Sequence, residues 1–283
     1  MSKKNSSYCE ICNKKLHIFK KLENFDLYRC DDCDHVVSDL RVNKKYYKKT
    51  YSNSYVETKH KNWMNNPNYK LFKEINMFIK SKKNGKILDL GCGTGLLLKY
   101  LSKENSTYNL TGVDIMAKNS KKNSKITFIK KEIFKFTPKK KFSFVVSIAV
   151  IEHVPKLKLF INHLKKISNK GSSFIILTVN TNSFLYKIAN YLFYFNIKTP
   201  FLRLYDPHHL NHFSNKSLEK LFKRNGFEIT KKIKSNVSMK QIDYEYSNVF
   251  IKYFLYFGLL IILKTEDFFN KSWLQTVIFT KKN

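Results

Sequence analysis

Apolar residues along this chain follow two different periods, and the change occurs near residue 86. Before it, Leu71, Ile75, Phe78 and Ile79 recur at the spacing of one helical face. From Lys86 onwards, short apolar runs alternate with segments of helical spacing. Such alternation predicts an α/β fold with a parallel, doubly wound sheet.

The predicted strands are short, and most of them end at a polar residue or a turn. The first contains Ile87, Leu88 and Leu90, an apolar run typical of a strand that is buried on both faces. The later strands are predicted from five runs: N-L-T-G-V-D-I ending at Asp114, I-T-F-I-K-K-E ending at Glu132, F-S-F-V-V-S-I-A-V up to Val150, S-F-I-I-L-T-V-N after Gly171, and a run that begins at Phe227.

Helices are predicted between these strands. Two of them cover residues 94–103 and 157–168. The third follows Ser214, a favourable N-cap residue, and stops at Gly226, which suits a helix end.

A glycine-rich turn, G-C-G-T-G from Gly91 to Gly95, follows the first strand. Glycine lets the backbone turn sharply and leaves bare main chain against which a ligand can lie. The start of the next helix would point unpaired N–H groups at such a ligand. Asp89 is acidic within an apolar run, and a ligand ammonium group or a backbone N–H would supply the partner that it needs. An ordinary glycine-rich turn without a ligand is the alternative.

Asp114 lies 19 residues after Gly95, at the end of the second predicted strand. In nucleotide-binding α/β units an acidic residue at about this distance accepts hydrogen bonds from ribose hydroxyls. A carboxylate suits this role because its lone pairs can take both hydroxyl protons. A solvated aspartate at a strand end is the alternative.

Four of the five cysteines form two close pairs near the N-terminus, Cys9-x2-Cys12 and Cys30-x2-Cys33. Pairs at this separation can place four thiolates around one tetrahedral ion and fall within the zinc-ribbon range. We expect a structural Zn²⁺, because four protein ligands leave no open position for chemistry. Two disulfides or a redox pair are the alternatives, and disulfides are disfavoured because no secretion signal is recognised.

The 283 residues include 53 Lys and Arg against 21 Asp and Glu, a formal net charge of +32. Arg occurs at only four positions, whereas nucleic-acid sites rely on Arg forks and stacking. General attraction to anionic surfaces is expected, while nucleic acid as a partner is not favoured but stays open. The apolar stretch at 253–263 is shorter than the roughly 20 residues that cross a bilayer. We expect a cytoplasmic protein without a transmembrane span and leave peripheral membrane contact open.

Three motifs, in this order, resemble those of class I S-adenosylmethionine-dependent methyltransferases of the small-molecule type. D-L-G-C-G-T-G from Asp89 resembles their motif I, and I-E-H-V-P from Ile151 resembles the motif after their fourth strand. H-H-L-N-H-F-S from His208 resembles a later segment of the same group. The resemblance implies a Rossmann-like, seven-stranded sheet whose last strand, here Thr276–Phe279, is antiparallel, with a small N-terminal zinc ribbon as in some relatives.

The resemblance also implies a domain organisation and a cofactor, S-adenosylmethionine. The expected parts are a zinc ribbon at 1–40, a linker and helix at 41–84, and a methyltransferase domain at 85–283 with acceptor-binding insertions near 183–213 and 240–270. Glu132 is expected beside the adenine amino group. The full cofactor-binding set is Asp89, Gly91, Cys92, Gly93, Gly95, Asp114, Ile115, Glu132 and Ser147.

Methyl transfer from a sulfonium mainly requires that the acceptor be positioned and that water be excluded. For an acceptor hydroxyl, removal of a proton helps, and histidine suits this because its ordinary pKa is about 6.5. The candidate catalytic residues are His153, His209 and His212, with a metal site or a packed turn as the alternatives. Ala149 stands where quinone O-methyltransferases carry an acidic residue, which weakens the case for a quinone acceptor or for a metal bound there.

Aromatic residues are dense in residues 183–201 and 253–263. They favour a sugar, glycan-precursor or lipid-linked acceptor, and simple packing as core and cap is the alternative. Methylation of nucleobases is disfavoured, because no N/D-P-P-Y/F motif follows the fourth strand and Cys92, in the cofactor loop, is wrongly placed as a nucleophile. An rRNA or tRNA methyltransferase that uses the zinc ribbon, and a non-catalytic binding protein of the same fold, stay open.

Overall fold

The computed structural model describes residues 8–42, 61–82, 85–120, 125–234, 236–242, 249–269 and 271–282. Residues 43–60 of the predicted linker and 243–248 of the predicted second insertion therefore lie outside the described residues. Within the described ranges the chain forms one large and one small β-sheet, with helices packed on both faces of the large one.

The large sheet has seven strands in the order β10-β11-β8-β7-β4-β5-β6. Their bounds are β4 Lys86–Leu90, β5 Asn109–Asp114, β6 Ile126–Lys130, β7 Phe142–Ile148, β8 Ser168–Val179, β10 Phe227–Ile233 and β11 Leu274–Lys281. Neighbours from β8 to β6 are parallel, whereas β11 is antiparallel to both β8 and β10. The predicted doubly wound sheet with an antiparallel final strand is therefore confirmed.

Helices connect these strands and precede them. Their bounds are α1 Lys61–Asn65, α2 Tyr69–Lys80, α3 Leu96–Glu104, α4 Leu157–Ile167, α5 Phe184–Tyr194, α6 Thr199–Leu204, α7 Asn215–Lys223 and α8 Val249–Phe269. The N-cap predicted at Ser214 is present, since its hydroxyl accepts a hydrogen bond from the N–H of Ser217. The hydroxyl oxygen of Ser217 in turn accepts one from the N–H of Ser214, which completes a capping box.

The central strand β4 is buried on both faces, as its apolar residues Ile87, Leu88 and Leu90 predict. Ile87 belongs to the same buried cluster as Leu71 of α2 and Leu98 of α3. The next residue, Leu88, points to the opposite face and joins the cluster that contains Phe160 of α4 and Leu221 of α7. Two layers of helices thus hold the carboxyl end of β4 in the middle of the molecule.

The small sheet joins the cysteine-rich N-terminus to a distant part of the chain. Its order is β1-β2-β3-β9, with β1 at His17–Lys21, β2 at Asp26–Arg29, β3 at Val36–Ser38 and β9 at Asn211–His212. The strand β9 pairs antiparallel with β3, so that Val36 lies opposite His212. Part of the insertion at 183–213, which is predicted to bind the acceptor, therefore belongs to the same sheet as the strands on either side of Cys30 and Cys33.

Several element bounds differ from those predicted, among them the end of β7, which lies at Ile148 rather than at Val150. The strand β6 ends at Lys130, two residues before Glu132. The helix α3 begins at Leu96 rather than at residue 94, because Gly95 has a positive φ of 76° and acts as its N-cap. The strand β8 begins at Ser168, which pairs with Phe142, so Gly171 lies inside it rather than before it.

The apolar stretch at 253–263 lies within the helix α8, which is 21 residues long. No helix in the described part of the chain combines the length and the apolar character needed to cross a membrane.

Candidate active site

The turn after β4 is shaped by two glycines that have protein side chains directly against them. Gly91 has a φ of +83°, and a Cβ there would lie 2.3 Å from Cγ2 of Val150. Gly95 has a φ of +76°, and a Cβ there would lie 2.4 Å from the ring of Phe128. The space expected to receive a ligand at these two positions is therefore filled by Val150 and Phe128. The glycines are required for the turn to pack and for its left-handed conformation.

Asp114, at the end of β5, connects this turn to the neighbouring strand. Its Oδ2 accepts a hydrogen bond of 2.9 Å from the N–H of Gly93, and its Oδ1 accepts one of 2.8 Å from the N–H of Met116. Each oxygen keeps further lone-pair capacity, and the side chain is only half-buried. The carboxylate is thus fixed in orientation while it remains accessible to the hydroxyl groups of a ligand.

Asp89 is 2% exposed, and its Oδ1 has no hydrogen-bond donor among the described residues. Burial, with a smaller contribution from the negative charge of Asp114, raises the pKa of Asp89 to about 7. Ser147, which follows the residue paired with Asp89 in the adjacent strand β7, is buried and its Oγ also has no partner in the described structure. Two adjacent strands therefore present unsatisfied buried polar atoms, the pattern expected where a polar ligand completes the site.

The remaining members of the predicted cofactor set lie around this turn. Cys92 is buried, burial raises the pKa of its thiol, and its Sγ would lie 2.8 Å from a Cβ at Gly112. Ile115 is exposed directly after β5, where an apolar ligand ring can reach it. Glu132 is exposed and forms an ion pair of 2.9 Å with Lys135.

His153 lies in a 3₁₀ turn, Ile151–His153, just beyond the carboxyl end of β7. Its Nδ1 is 2.9 Å from the backbone carbonyl oxygen of His208. A carbonyl oxygen can only accept, so Nδ1 carries the proton and the lone pair of the neutral ring lies on Nε2. The contact thereby defines the tautomer of His153.

His209 lies beside His153, with the two ring centroids 5.0 Å apart in an edge-on arrangement. Ligand atoms of Glu152, His153 and His209 all lie within 4.8 Å of one another. Glu152 is fully buried, accepts a hydrogen bond of 3.0 Å from the hydroxyl of Thr178, and has its pKa raised to about 7 by burial. The sequence motif I-E-H-V-P drew attention to His153 but not to Glu152, although the two are adjacent.

His212, the third predicted catalytic residue, has a different environment. Its side chain is completely buried in β9, with its ring centroid 4.8 Å from that of Tyr205. Burial foremost, with the positive charge of His35, lowers the pKa of His212 to about 3. The ring is therefore neutral at ordinary pH and a weaker base than an exposed histidine.

Val150 links the glycine turn to the turn that carries His153. This residue precedes His153 by three positions, and its side chain packs against Gly91. Because β4 and β7 are adjacent parallel strands, their carboxyl ends meet at the same edge of the sheet. The turn that carries His153 and the glycine turn therefore lie at the same edge of the sheet, the edge at which open α/β sheets usually bind ligands.

The four N-terminal cysteines come together from two turns, with Cys9 and Cys12 before β1 and with Cys30 and Cys33 between β2 and β3. Sγ distances are 3.2 Å between Cys12 and Cys30, 3.6 Å between Cys9 and Cys33, and 3.7 Å between Cys12 and Cys33. All four side chains are buried with free thiols, and all four Sγ atoms lie within 4.8 Å of one another.

Proximity of the thiols also perturbs their acidity. A hydrogen bond from Cys33 lowers the pKa of Cys9 to about 5, while the same contact raises the pKa of Cys33. A tetrahedral Zn²⁺ with Zn–S bonds of about 2.3 Å separates its sulfur ligands by about 3.8 Å. The cluster fits that ion in donor type, number and spacing.

Residues 63–232, more than half of the chain, match the family described as "Methyltransferase domain". This chain belongs to that methyltransferase family. The methyltransferase is 31% identical over 112 residues to the ubiquinone biosynthesis O-methyltransferase of Rickettsia bellii (strain OSU 85-389), a match that covers 36% of this chain and 45% of that protein. It is 28% identical over 166 residues to the mitochondrial ubiquinone biosynthesis O-methyltransferase of Dictyostelium discoideum, covering 51% and 50%.

The methyltransferase chain thus spans about half the length of these curated relatives. Among solved structures, it is similar to the 1,6-didemethyltoxoflavin-N1-methyltransferase of Burkholderia thailandensis, with bound 1,6-didemethyltoxoflavin and S-adenosylhomocysteine. The TM-score is 0.51 at 9% identity, over 95% of this chain and all of the other. This likeness supports the fold, and the Rossmann-like methyltransferase fold predicted from the motifs is confirmed.

The polar groups of the methyltransferase site fit the cofactor that the family implies. S-adenosylmethionine presents an ammonium group, a ribose diol and an adenine ring. Buried Asp89 lacks a donor within the described structure and matches a cation, and Asp114 has lone pairs available for a diol. Ile115 offers an exposed apolar side chain next to Asp114.

Proposed function

We propose that this protein transfers a methyl group from S-adenosylmethionine to a hydroxyl group of a small aromatic acceptor. The observation that carries the proposal is the hydrogen bond from His153 Nδ1 to the carbonyl oxygen of His208. This contact supports the proposal because it leaves the lone pair of the neutral ring on Nε2. The turn that carries His153 follows β7, at the same edge of the sheet as the glycine turn and Asp114. A base held beside the cofactor residues is what O-methylation of a weakly acidic hydroxyl requires.

On the cofactor side, Asp114 would hold the ribose hydroxyls, and Asp89 with Ser147 would hold the amino-acid end. The turn from Gly91 to Gly95, whose first and last glycines pack against Val150 and Phe128, would border the cofactor rather than enclose it. When bound, S-adenosylmethionine would supply a methyl group already activated by a sulfonium. Glu132 is a weaker assignment to the adenine, because its carboxylate is exposed and paired with Lys135.

On the acceptor side, we assign proton removal to His153 Nε2, with His209 in contact with the same ring. Buried Glu152 has a carboxylate oxygen within 4.8 Å of a ring nitrogen of His153 and, when ionised, would stabilise an imidazolium once the proton has transferred. His212, predicted with these two, is better suited to packing, because its ring is fully buried and its pKa is lowered to about 3. The cysteine cluster would hold a structural Zn²⁺ through Cys9, Cys12, Cys30 and Cys33.

The aromatic acceptor replaces the sugar, glycan or lipid-linked acceptor expected from the sequence. The relatives' names specify O-methylation in ubiquinone biosynthesis, which favours a phenolic or quinone-type oxygen. Aromatic side chains of α5 and α6, among them Tyr186, Phe193 and Phe201, pack close to Tyr205 and the histidine segment. Ala149, with a positive φ of 54°, still lacks the carboxylate that quinone enzymes carry there, so we propose catalysis by the histidines without a metal at that position.

The test begins with calorimetric titration of S-adenosylmethionine into the purified protein, followed by methyl transfer to a panel of catechols, hydroxybenzoates and nucleotide sugars. We expect cofactor binding and methylation of a phenolic oxygen. His153→Gln should lower kcat by about 100-fold with cofactor affinity unchanged. His17→Gln is the matched control, because His17 is an exposed histidine of β1.

The possible failures are distinguishable. Absence of cofactor binding would overturn the methyltransferase activity itself. Binding accompanied by methylation of sugars but not of phenols would overturn the acceptor class. Equal rates for the wild type and His153→Gln would overturn the assignment of the base.

A further inference from the structure

Large apolar side chains that remain exposed are concentrated on one part of the surface. The described structure has nineteen such residues, and twelve of them belong to residues 188–202 or to α8. A patch of this kind on a folded protein marks an interaction site more often than a random surface does. It is too concentrated to be the scattered exposure of ordinary apolar residues.

On α8, the exposed side chains follow one face. Tyr253, Phe257 and Ile261 are spaced four residues apart. Phe268 lies on the same face seven residues, or about two turns, after Ile261. Ile261 is 65% exposed and Phe268 is 80% exposed. Among the side chains described on this helix, only Leu263 and Glu266 are buried, and six large apolar side chains are exposed.

The helix α5 presents a second apolar stripe that meets the first. Ile188, Tyr191 and Phe195 are exposed at helical spacing, and the rings of Tyr191 and Phe195 are 5.0 Å apart. At the start of this stripe, the ring of Phe184 packs edge-on against that of Phe269 at 5.7 Å. The two helices therefore meet where α5 begins and α8 ends, and their two stripes are here together called the apolar ridge.

A buried carboxylate holds the two helices of the ridge in this arrangement. Glu266 of α8 accepts hydrogen bonds from the N–H of Leu185 at 2.8 Å and from the N–H of Trp273 at 2.8 Å. It also accepts one of 3.0 Å from the side-chain amide of Asn236. With these three bonds the ridge is preorganised rather than dependent on a partner for its shape.

Charge decides which partner suits the ridge. Lys187, Lys198 and Lys264 are exposed on its helices or between them, and Lys187 Nζ is 5.8 Å from the centre of the Phe184 ring. Asp267 is the exposed acidic residue on α8. The whole chain carries +32, so two copies repel each other, and the cores of protein interfaces are depleted in Lys.

We propose that the apolar ridge binds the surface of an anionic lipid bilayer. Aromatic and aliphatic side chains would enter the boundary between headgroups and acyl chains, and the lysines would contact the headgroup charges. The contact is peripheral, because no described helix has the length and apolar character to span a membrane. This inference does not depend on the acceptor or on methyl transfer.

Sedimentation with lipid vesicles tests the proposal. Vesicles of about 30% phosphatidylglycerol in phosphatidylcholine should bind the protein at about 0.1 M salt, and pure phosphatidylcholine should bind it at least tenfold more weakly. Higher salt should weaken binding to the anionic vesicles. No binding to anionic vesicles, or equal binding to both kinds, would overturn the proposal.

Substitutions then locate the surface. The triple variant Phe257→Ser, Ile261→Ser and Phe268→Ser removes exposed side chains only, and its binding to anionic vesicles should fall at least tenfold. Circular dichroism checks that its fold is retained. Unchanged vesicle binding by this variant contradicts the assignment.

A matched triple variant provides the control. Ile18→Ser, Met77→Ser and Leu159→Ser change apolar residues that are similarly exposed but lie on β1, α2 and α4. It should bind vesicles as the wild type does, and an equal loss in both triples would show that general apolarity, not the ridge, is responsible. A wild-type dimer that only the ridge variant dissociates would identify a second copy as the occupant and overturn the lipid proposal.

A charge variant gives an independent reading that does not remove apolar residues. Lys187→Gln with Lys264→Gln should weaken binding to anionic vesicles and leave binding to neutral vesicles unchanged. Each basic residue near an anionic membrane contributes about 1 kcal/mol, so the pair should lower the partition coefficient by about 30-fold at most. Unchanged binding to anionic vesicles would contradict the role given to these lysines.

Discussion

The side-chain amide of Asn211 donates a hydrogen bond of 2.7 Å to the backbone carbonyl oxygen of Val154. Val154 directly follows His153, whereas Asn211 belongs to β9 of the small sheet. On its other side, Oδ1 of Asn211 lies 3.3 Å from Nε2 of His35, two residues after Cys33. One buried side chain thus links the cysteine-bearing sheet to the turn that holds the proposed base.

We expect Asn211→Ala to lower both stability and turnover. The change leaves the carbonyl oxygen of Val154 buried without its donor, at a cost of about 1–3 kcal/mol. Urea unfolding measures that loss, and steady-state kinetics should show a lower kcat with little change in the cofactor KM. Asn225→Ala, which removes a hydrogen bond of 2.8 Å to Leu221 at the end of α7, is the control and should leave kcat unchanged. An unchanged kcat in Asn211→Ala would argue against any positioning of His153 through this bond.

Through the same contacts, a Zn²⁺ held by the four cysteines would stabilise the segment that carries His209 and His212. The hydroxyl of Ser214 donates to the carbonyl oxygen of Cys33 at 3.1 Å, and β3 pairs with β9. Mass spectrometry should find one Zn²⁺ per chain in the wild type and in Cys92→Ser, but none in Cys33→Ser. Loss of the metal should lower the melting temperature and the methylation rate.

Cofactor affinity is the control for the metal. The turn after β4 and the end of β5 have no backbone pairing with the small sheet among the described strands. Calorimetry should therefore show similar S-adenosylmethionine affinity with and without Zn²⁺. A parallel fall in cofactor affinity and in rate would mean that metal removal unfolds the whole domain rather than the acceptor side.

Asp114→Ala should weaken S-adenosylmethionine binding by tenfold or more. The substitution removes the proposed partner of the ribose hydroxyls and also the acceptor of the hydrogen bonds from Gly93 and Met116. Calorimetric titration measures the affinity. Asp31→Ala is the comparison, since Asp31 is an exposed aspartate in the cysteine-rich region and should leave affinity unchanged. Equal affinities for the two variants would remove Asp114 from the site.

Asp89→Asn should have opposite effects on stability and on cofactor binding. Folding raises the pKa of Asp89 to about 7 from an ordinary value of about 3.9, so the folded state binds more protons between those pH values. The extra proton stabilises the folded state by about 4 kcal/mol at most. This stabilisation is present below about pH 4 and is lost as the pH rises through about 7. The asparagine variant avoids that loss, so without cofactor it should be more stable than the wild type at pH 8.

At pH 4 the advantage of Asp89→Asn should disappear, because both residues are then uncharged. Buried Glu152, whose pKa is also raised to about 7, contributes the same trend to both proteins and cancels in the comparison. Cofactor affinity should fall in the variant, because an amide cannot pair with an ammonium group as a carboxylate does. Chemical denaturation at the two pH values, with and without cofactor, measures both effects. A less stable variant at pH 8 would show that Asp89 has a partner when the site is empty of ligand.

Local patterns in the sequence were sufficient to predict the fold and to single out the residues that we propose for cofactor binding. The apolar run of β4, the glycine turn and the capping Ser214 are each determined by near neighbours, through burial and backbone conformation. The same holds for the two cysteine pairs, whose spacing alone predicts a shared ion. Each of these features concerns residues a few positions apart, which is the range over which periodicity and turn chemistry are readable.

Contacts between distant segments, and the burial of individual side chains, became visible only in the tertiary structure. It joined β3 to β9 across more than 170 residues and placed Val150 and Phe128 against the glycines. It also buried His212 completely, although the ring of His212 lies 5.8 Å from that of His209. It also left one face of α8 exposed, although the sequence of that helix is compatible with a buried core element. Contacts between distant segments depend on how whole elements pack, and no local pattern records which face of a helix meets the core or which nitrogen of a histidine meets a carbonyl oxygen.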